Sequence, residues 1–220
     1  MSAARVRLVL ASASPARLRT LQHAGVEPIV VVSDLDEDLV VAEAFERFGL
    51  LEPAQVCLLL ARAKAEAVAY GDAAHAGDVV LGCDSVLELD GQVHGKPADE
   101  AEAVARWLSM RGRSGILHTG HWLVDDRRPE RGGTGATVGA TASTTVHFAQ
   151  LDDATIQAYV ATGEPLRVAG AFTIDGFGGP FVTAIEGDHH NVVGVSLPLL
   201  RELLDDIGVS WWDVVTNHRR

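Results

Sequence analysis

The chain has 220 residues, 47% of them hydrophobic, and a formal net charge of −12 at pH 7. This length suits one good-sized domain or two small lobes around a cleft, and no apolar run approaches the roughly 20 residues of a membrane span. The acidic balance argues against nucleic acid or a membrane as a partner. A small anion held by local cations, or by a metal that carboxylates bind, is compatible with it.

Strand-like and helix-like segments alternate along the chain. The predicted elements are, in order, strand Val6–Ala11, helix Pro15–Ala24, strand Pro28–Val32, helix Glu52–Tyr70, strand Asp78–Leu89, helix Asp99–Met110, strands Ser114–Val124 and Ala140–Ala149, and helices Ala154–Ala161 and Leu197–Ile207. We expect a hairpin turn at Asp90-Gly91 and a mobile loop at Asp125–Gly139, which is rich in Arg, Gly and Thr. This order predicts an α/β fold with a mixed sheet.

The first turn between a strand and a helix, Leu10–Leu21, reads LASASPARLRTL. Backbone N–H groups at a helix start attract anions, and Pro15 suits the first helical position. Arg17 and Arg19 near that start oppose the helix dipole unless an anion is bound there. The turn therefore predicts phosphate binding, although serine and proline also occur in such turns for structural reasons alone.

Lys64 falls within the apolar stripe of the helix Glu52–Tyr70, four residues after Leu60 and four before Val68. The simpler interpretation is a lysine whose chain extends along the stripe to solvent. The functional interpretation is an ammonium group that points into a cleft.

Asp84 interrupts an apolar strand, where a carboxylate is unfavourable unless it is paired, hydrogen-bonded or bound to metal. We favour a functional role for Asp84 over a turn cap or an arginine partner.

Further charged residues lie at predicted turns. Lys96, in HGKP, is either a solvated lysine or a second phosphate contact on a rigid turn. Asp36, Glu37 and Asp38 form an acidic run of the kind that is usually solvated, but two carboxylates beside phosphates also suit Mg²⁺ or Mn²⁺. Glu164 lies where a helix gives way to a turn, and is either a cap or an active-site carboxylate.

Other residues exclude competing chemistries. Cys57 and Cys83 lie in apolar segments without metal-type spacing, which predicts free buried thiols and a cytoplasmic location. The histidine pairs have no partners at zinc-site spacing, and no G-x-S-x-G motif marks a serine hydrolase.

Six blocks together resemble the Maf family of nucleoside triphosphate pyrophosphatases, once described as septum formation inhibitors. The blocks are LASASPARL, LARAKA around Lys64, GCDSVLELDGQVHGKP at Gly82–Pro97, LHTG at Leu117–Gly120, YVATGEPLRVAGAFTIDG at Tyr159–Gly176 and NVVGVSLPLL at Asn191–Leu200. Their order and spacing make the resemblance specific, and it extends over nearly the whole chain. It implies a single domain over residues 1–220, with two lobes around a cleft, flanking helices and a fold like that of inosine triphosphate pyrophosphatases.

The resemblance also implies an activity and a set of roles. The reaction would be metal-dependent hydrolysis of nucleoside triphosphates, either ribo- or deoxynucleotides, to the monophosphate and pyrophosphate, which clears non-standard nucleotides. Asp84 matches the proposed general base, and Glu37, or its neighbour Asp36, matches an acidic position linked with Mg²⁺ or Mn²⁺, which Asp84 would share. The residues that match substrate-contacting positions are Ser12, Arg17, Lys64, Lys96, Glu164 and Asp175. A homodimer is the oligomeric state that the resemblance suggests.

Two positions depart from the family pattern and leave the preferred base open. Ala16 replaces the Arg or Trp found in the family's S-P-R-R and S-P-W-R motifs, and it offers neither a hydrogen-bond donor nor a ring. Asp175 stands where members that act on dTTP and UTP carry glutamine, whereas members that act on 7-methyl-GTP carry an acid. The alternative function is a nucleotide-binding regulator of cell division with little catalysis.

Overall fold

The computed structural model describes residues 5–71 and 78–216. Its strands are β1 (Leu8–Ala11), β2 (Ile29–Val30), β3 (Val79–Leu89), β4 (Gln92–His94), β5 (Ser114–Asp125), β6 (Thr137–Phe148) and β7 (Val182–Glu186). Its helices are α1 (Pro15–His23), α2 (Glu37–Phe48), α3 (Pro53–Ala69), α4 (Glu100–Met110), α5 (Asp153–Val160), α6 (His189–Val193), α7 (Leu197–Asp206) and α8 (Trp211–Val214). None of the described helices is long and apolar enough to cross a membrane.

One mixed sheet has the strand order β2-β1-β3-β5-β6-β7, with β4 beside β3. β1 is parallel to β2 and β3, and the remaining pairs are antiparallel. On one side of β3, β1 pairs with residues 79–82 and β4 pairs with residues 87–89. Residues 83–86 have no strand beside them there among the described parts of the chain, and we call this opening the gap.

One face of the sheet carries two apolar clusters separated by polar side chains. The first cluster includes Leu81 and Leu123 with residues of α7 and α8, and the second includes Leu87 and Leu117 with residues of α4 and α5. Between them, the buried or partly buried Ser85, Thr119 and His121 form what we call the polar band. The clusters are the cores of two lobes, so the prediction of a mixed α/β fold with two lobes is confirmed.

Helix α3 covers the opposite face and lies unusually close to the sheet. A Cβ atom added at Gly82 would lie 2.0 Å from the carbonyl oxygen of Ala61, and one added at Gly120 would lie 2.4 Å from that of Cys57. Only glycine permits this approach. It brings the side of α3 that carries Lys64 against the middle of β3.

Several element predictions need correction. The strand predicted at Pro28–Val32 is only Ile29–Val30, because this edge strand pairs through two residues. The acidic run at Asp36 begins helix α2, which was not predicted and in which Ala44 is the only buried residue. The short elements β7, α6 and α8 were also not predicted.

The segment predicted as a mobile loop, Asp125–Gly139, is shorter than expected because β5 and β6 extend into it. The buried Asp125 carboxylate accepts hydrogen bonds from Arg127 and from the hydroxyl and backbone N–H of Thr134. Arg131 forms an ion pair with Asp78. These contacts tie the connection to the sheet, and its mobility stays a prediction, as does a single domain over residues 1–220, whose ends lie outside the described residues.

Candidate active site

Arg17 is the centre of the hydrogen-bond network beside the gap. Its guanidinium donates to Ser12 Oγ at 2.9 Å, to the Cys83 carbonyl at 2.8 Å, to Ser85 Oγ at 3.0 Å and to the Gly194 carbonyl at 2.8 Å. Arg17 is buried, and all four of these acceptors are uncharged. Its charge therefore favours an anion at the gap.

Helix α1 begins at Pro15, as the sequence predicts. Ser14 is the N-cap residue, its hydroxyl accepts from the Arg17 N–H, and Pro15 occupies the first turn. The buried Ser12 hydroxyl accepts from the Ser14 N–H at 3.3 Å as well as from Arg17. Ser12 and Arg17 therefore lie together at the helix N-terminus, where an anion is favoured.

Lys64 lies between two carboxylates. Its Nζ atom is 2.6 Å from Asp84 Oδ1 and 2.9 Å from Glu37 Oε1. The side chains of Lys64 and Asp84 are 11% and 12% exposed, whereas that of Glu37 is 49% exposed. The structure thus brings α2, α3 and β3 together at one ion cluster, in which the ammonium group pairs with carboxylates rather than extending to bulk solvent.

Asp84 is buried on β3 beside that ammonium. Burial raises the pKa of the Asp84 carboxyl above its ordinary value, although the charges of Lys64 and Arg17 act in the opposite direction. A raised pKa makes a carboxylate a stronger base near neutral pH. The environment of Asp84 therefore suits a group that accepts a proton from water.

The polar band contacts Arg17 through Ser85, and it was not predicted from the sequence. Ser85 Oγ lies 2.9 Å from Thr119 Oγ1, which donates to the Asn191 carbonyl at 3.1 Å. His121 Nδ1 donates to the Thr119 carbonyl, and His121 Nε2 accepts from the Ser196 N–H. Burial lowers the pKa of His121 to about 4, so its ring is neutral at pH 7. The available signal was polar residues facing the core at alternate positions of two apolar strands.

Lys96 lies on the turn between β4 and α4. β4 ends at His94, opposite Leu87, and the chain runs on toward the gap. The Gly95 carbonyl accepts from Arg106 and from the Gly170 N–H, the latter at 3.0 Å, so the turn is held on two sides. Lys96 itself is exposed, and its contact with phosphate stays a prediction.

The residues predicted to bind metal divide into two groups. Asp84 and Glu37 meet at Lys64, and two carboxylates beside phosphates are a donor set that suits Mg²⁺ or Mn²⁺. Asp36 is instead the N-cap of α2, and its side chain accepts from the Leu39 N–H at 3.0 Å. In residues 5–71 and 78–216, no group of three or more His, Cys, Asp or Glu side chains could hold a metal. A bound metal ion would therefore depend on Asp84 and Glu37 together with oxygen atoms of the substrate, whereas Asp36 caps helix α2.

Glu164 lies just before the glycine-rich segment Gly170–Pro180, and Asp175 lies within it. Asp175 forms an ion pair with Arg19 of α1, with 3.6 Å between the charged atoms. Glu164 accepts hydrogen bonds from its own neighbourhood, including the Tyr159 hydroxyl at 3.0 Å. This arrangement favours the structural alternative for Glu164 over direct contact with substrate.

Known proteins resemble this chain over most of its length. The family model described as Maf-like protein matches residues 7–207. The chain belongs to the Maf family. A relative from Salinispora tropica is 57% identical over 93% of this chain and 85% of its own length, and one from Streptomyces coelicolor is 55% identical over 94% and 93%. A relative from Nostoc punctiforme is 50% identical over 93% and 95%.

All three of these Maf-family relatives are named nucleoside triphosphate pyrophosphatase. A solved structure from Mycobacterium abscessus, titled nucleoside-triphosphatase / dITP/XTP pyrophosphatase, is 15% identical with a TM-score of 0.37. It covers 92% of this chain and 93% of its own, and the likeness is too weak to bear on function.

Proposed function

We propose that this chain hydrolyses nucleoside triphosphates to the monophosphate and pyrophosphate with the help of a divalent cation, and so removes non-standard nucleotides. The observation that carries the proposal is the buried pair of Lys64 and Asp84, 2.6 Å apart, beside the Arg17 turn. A buried carboxylate of raised pKa next to several cations is the combination that hydrolysis of a phosphoanhydride requires. The names of the relatives support the same reaction.

The chain's own groups supply the steps. Asp84 accepts a proton from the water whose oxygen bonds to the α-phosphorus, while the bond from that phosphorus to the bridging oxygen breaks and pyrophosphate leaves. Lys64 and Lys96 offset the charge that develops on the phosphate oxygens, and Ser12 with the α1 N-terminus orients them. Asp84 and Glu37 would hold the divalent cation, which would supply positive charge that offsets the charge on the phosphate oxygens.

Hydrolysis in water enriched in oxygen-18 tests the position of attack. The proposal expects the label in the nucleoside monophosphate and none in the pyrophosphate. Label in orthophosphate, with a nucleoside diphosphate as the other product, would show attack at the γ-phosphorus and refute the proposal. Intact nucleotide after prolonged incubation with Mg²⁺ or Mn²⁺ would favour the binding regulator instead.

Non-standard nucleotides are tested by competition. Canonical and modified triphosphates are incubated together at equal concentration, and the monophosphates formed are separated and quantified. The proposal expects a modified nucleotide to be consumed first. Preferential consumption of the four canonical ribonucleotides would contradict a clearing role while leaving the reaction itself intact.

A further inference from the structure

The segment 173–178, which we call the Glu164 loop, wraps around one carboxylate. Glu164 Oε1 accepts from the Tyr159 hydroxyl at 3.0 Å, the Thr173 hydroxyl at 2.5 Å and the Gly178 N–H at 3.0 Å. Glu164 Oε2 accepts from the Phe177 N–H at 2.9 Å. Burial raises the pKa of Glu164, but these hydrogen bonds outweigh it and the net pKa is lowered. The hydrogen bonds from the loop therefore stabilise the charged form of Glu164.

Two glycines show how closely the loop follows this carboxylate. A Cβ atom added at Gly176 would lie 2.2 Å from Glu164 Oε2, and one added at Gly178 would lie 2.4 Å from the Tyr159 hydroxyl oxygen. No side chain fits at either position without displacing these groups. The path of the backbone is thus set by Glu164 and Tyr159.

The same segment of chain contacts two elements that lie near the gap, the turn between β4 and α4 and helix α1. Just before the loop, the Gly170 N–H donates to the Gly95 carbonyl, next to Lys96. Within the loop, Asp175 pairs with Arg19, two residues after Arg17 on α1. The Glu164 loop therefore borders the place where the triphosphate is proposed to bind, although its own prominent charge is negative.

A carboxylate at that border is unsuited to phosphate but suited to another part of a nucleotide. Asp175 would repel a polyphosphate, whereas its oxygens accept hydrogen bonds from the N–H groups of a nucleobase. Arg19 lies 3.6 Å from one Asp175 oxygen, which leaves the other oxygen available as an acceptor. The neighbouring Phe177 has a ring that is 68% exposed, and bases stack on such rings.

We propose that Glu164 is a positioning residue for base selection, which holds Asp175 and Phe177 at the border of the cleft without touching the substrate. This inference rests on the proposed function, because it assumes a nucleotide whose phosphates lie at Ser12, Lys64 and Lys96. It replaces direct substrate binding as the role of Glu164. Asp175, which would contact the base, is then carried by a loop whose conformation Glu164 fixes from the side away from the substrate.

The test compares Glu164→Gln with the parent protein on GTP, ITP, ATP, CTP and UTP, each with Mg²⁺. The amide keeps one acceptor but turns an NH₂ group toward donors, so the loop loosens. We expect KM to rise for the preferred nucleotide and the ratio of the best to the worst kcat/KM to fall about tenfold, with kcat changed only a few-fold. The matched control is Glu186→Gln on β7, whose side chain is 74% exposed; it should leave the ratio unchanged.

A purely structural role would give a different result. A smaller fraction of folded enzyme lowers kcat by one factor for every nucleotide and leaves each KM and every ratio unchanged, and that result would overturn the proposal. Tyr159→Phe and Thr173→Val each remove a single hydrogen bond to Glu164, so they provide the same test if Glu164→Gln fails to fold. Both should shift the ratio in the same direction by a smaller factor.

Binding measurements separate this inference from the proposed function. Affinities for α,β-methylene analogues of the same nucleotides are measured by calorimetry for parent and variant. If the parent protein releases no pyrophosphate, the proposed reaction fails, yet the affinity ratios still decide the role of Glu164. Unchanged ratios in Glu164→Gln, or a parent protein that binds none of the analogues, would refute the positioning role.

Discussion

Replacing Lys64 by methionine should destabilise the protein far more than replacing its partner Asp84 by asparagine. Lys64→Met leaves the buried Asp84 carboxylate with no ammonium beside it, whereas Asp84→Asn leaves Lys64 paired with Glu37 at 2.9 Å. Removal of one partner from a buried ion pair is costly because the other charge stays desolvated. The two variants therefore differ although they break the same contact.

The magnitude follows from the chemistry of the stranded carboxyl group. Asp84 can always avoid a buried charge by binding a proton, which at pH 7 costs about 4 kcal/mol for a carboxyl of ordinary pKa 3.8. That cost is a ceiling, and it falls to about 2 kcal/mol at pH 5. We expect Lys64→Met to lose about 3 kcal/mol at pH 7 and less at pH 5, and Asp84→Asn to lose about 1 kcal/mol or none.

Urea unfolding followed by circular dichroism at pH 7 and pH 5 measures these differences. The control is Arg201→Met on α7, which breaks the exposed pair with Asp205 and should change the unfolding free energy by less than about 0.5 kcal/mol. Equal losses in Lys64→Met and Asp84→Asn, or a loss in Lys64→Met that does not depend on pH, would refute this reasoning.

Three further predictions concern the framework of the site. Gly82→Ala should lower the unfolding free energy by about 3 kcal/mol or more in urea titrations, because its Cβ would meet the Ala61 carbonyl oxygen at 2.0 Å. The control is Gly95→Ala, whose added Cβ has no atom within 4 Å. Equal unfolding midpoints for the two variants would contradict the close approach of α3. Burial lowers the pKa of His121 to about 4 from an ordinary 6.5, so the unfolded chain binds its proton first and stability falls as pH drops from 6.5 toward 4. His121→Gln should remove about 2 kcal/mol of that fall between pH 6.5 and pH 5, measured by thermal unfolding, and an unchanged slope would argue against a buried neutral ring. For Asp125, burial raises the pKa but hydrogen bonds from Arg127 and Thr134 outweigh it and lower the pKa to about 2, so its contribution is present above pH 4 and lost as pH falls through 2. Asp125→Asn should cost about 2 kcal/mol at pH 7 and less than about 0.5 kcal/mol at pH 2 in urea titrations. A difference that does not change with pH would contradict the sign.

Local patterns predicted much of the fold. Apolar runs, proline near helix starts and the Asp90-Gly91 turn gave the main strands and helices within a few residues of their bounds, and α1 begins at Pro15 as expected. Helix α2 was not predicted, although apolar residues recur at helical spacing in it, at Val41, Ala44, Phe45 and Phe48. The acidic run at its start was interpreted as a solvated or metal-binding segment instead. Short edge elements such as Ile29–Val30 depend on their neighbours rather than on their own sequence.

The candidate site required distances between remote parts of the chain. The sequence indicated Lys64 and Asp84 separately, but it could not show that their charged atoms meet, because the close packing of α3 on β3 depends on Gly82 and Gly120. The four partners of Arg17 likewise come from distant segments. A homodimer, a cytoplasmic location and the role of the bound metal stay predictions.

The central claim is that Asp84 accepts the proton from the attacking water in pyrophosphate-releasing hydrolysis. Its most direct test is the rate of pyrophosphate release from a panel of nucleoside triphosphates by the parent protein and by Asp84→Asn, both confirmed to be folded and to bind nucleotide. We predict release by the parent protein and a loss of at least about 100-fold in kcat for the variant. Full activity of Asp84→Asn would contradict the account.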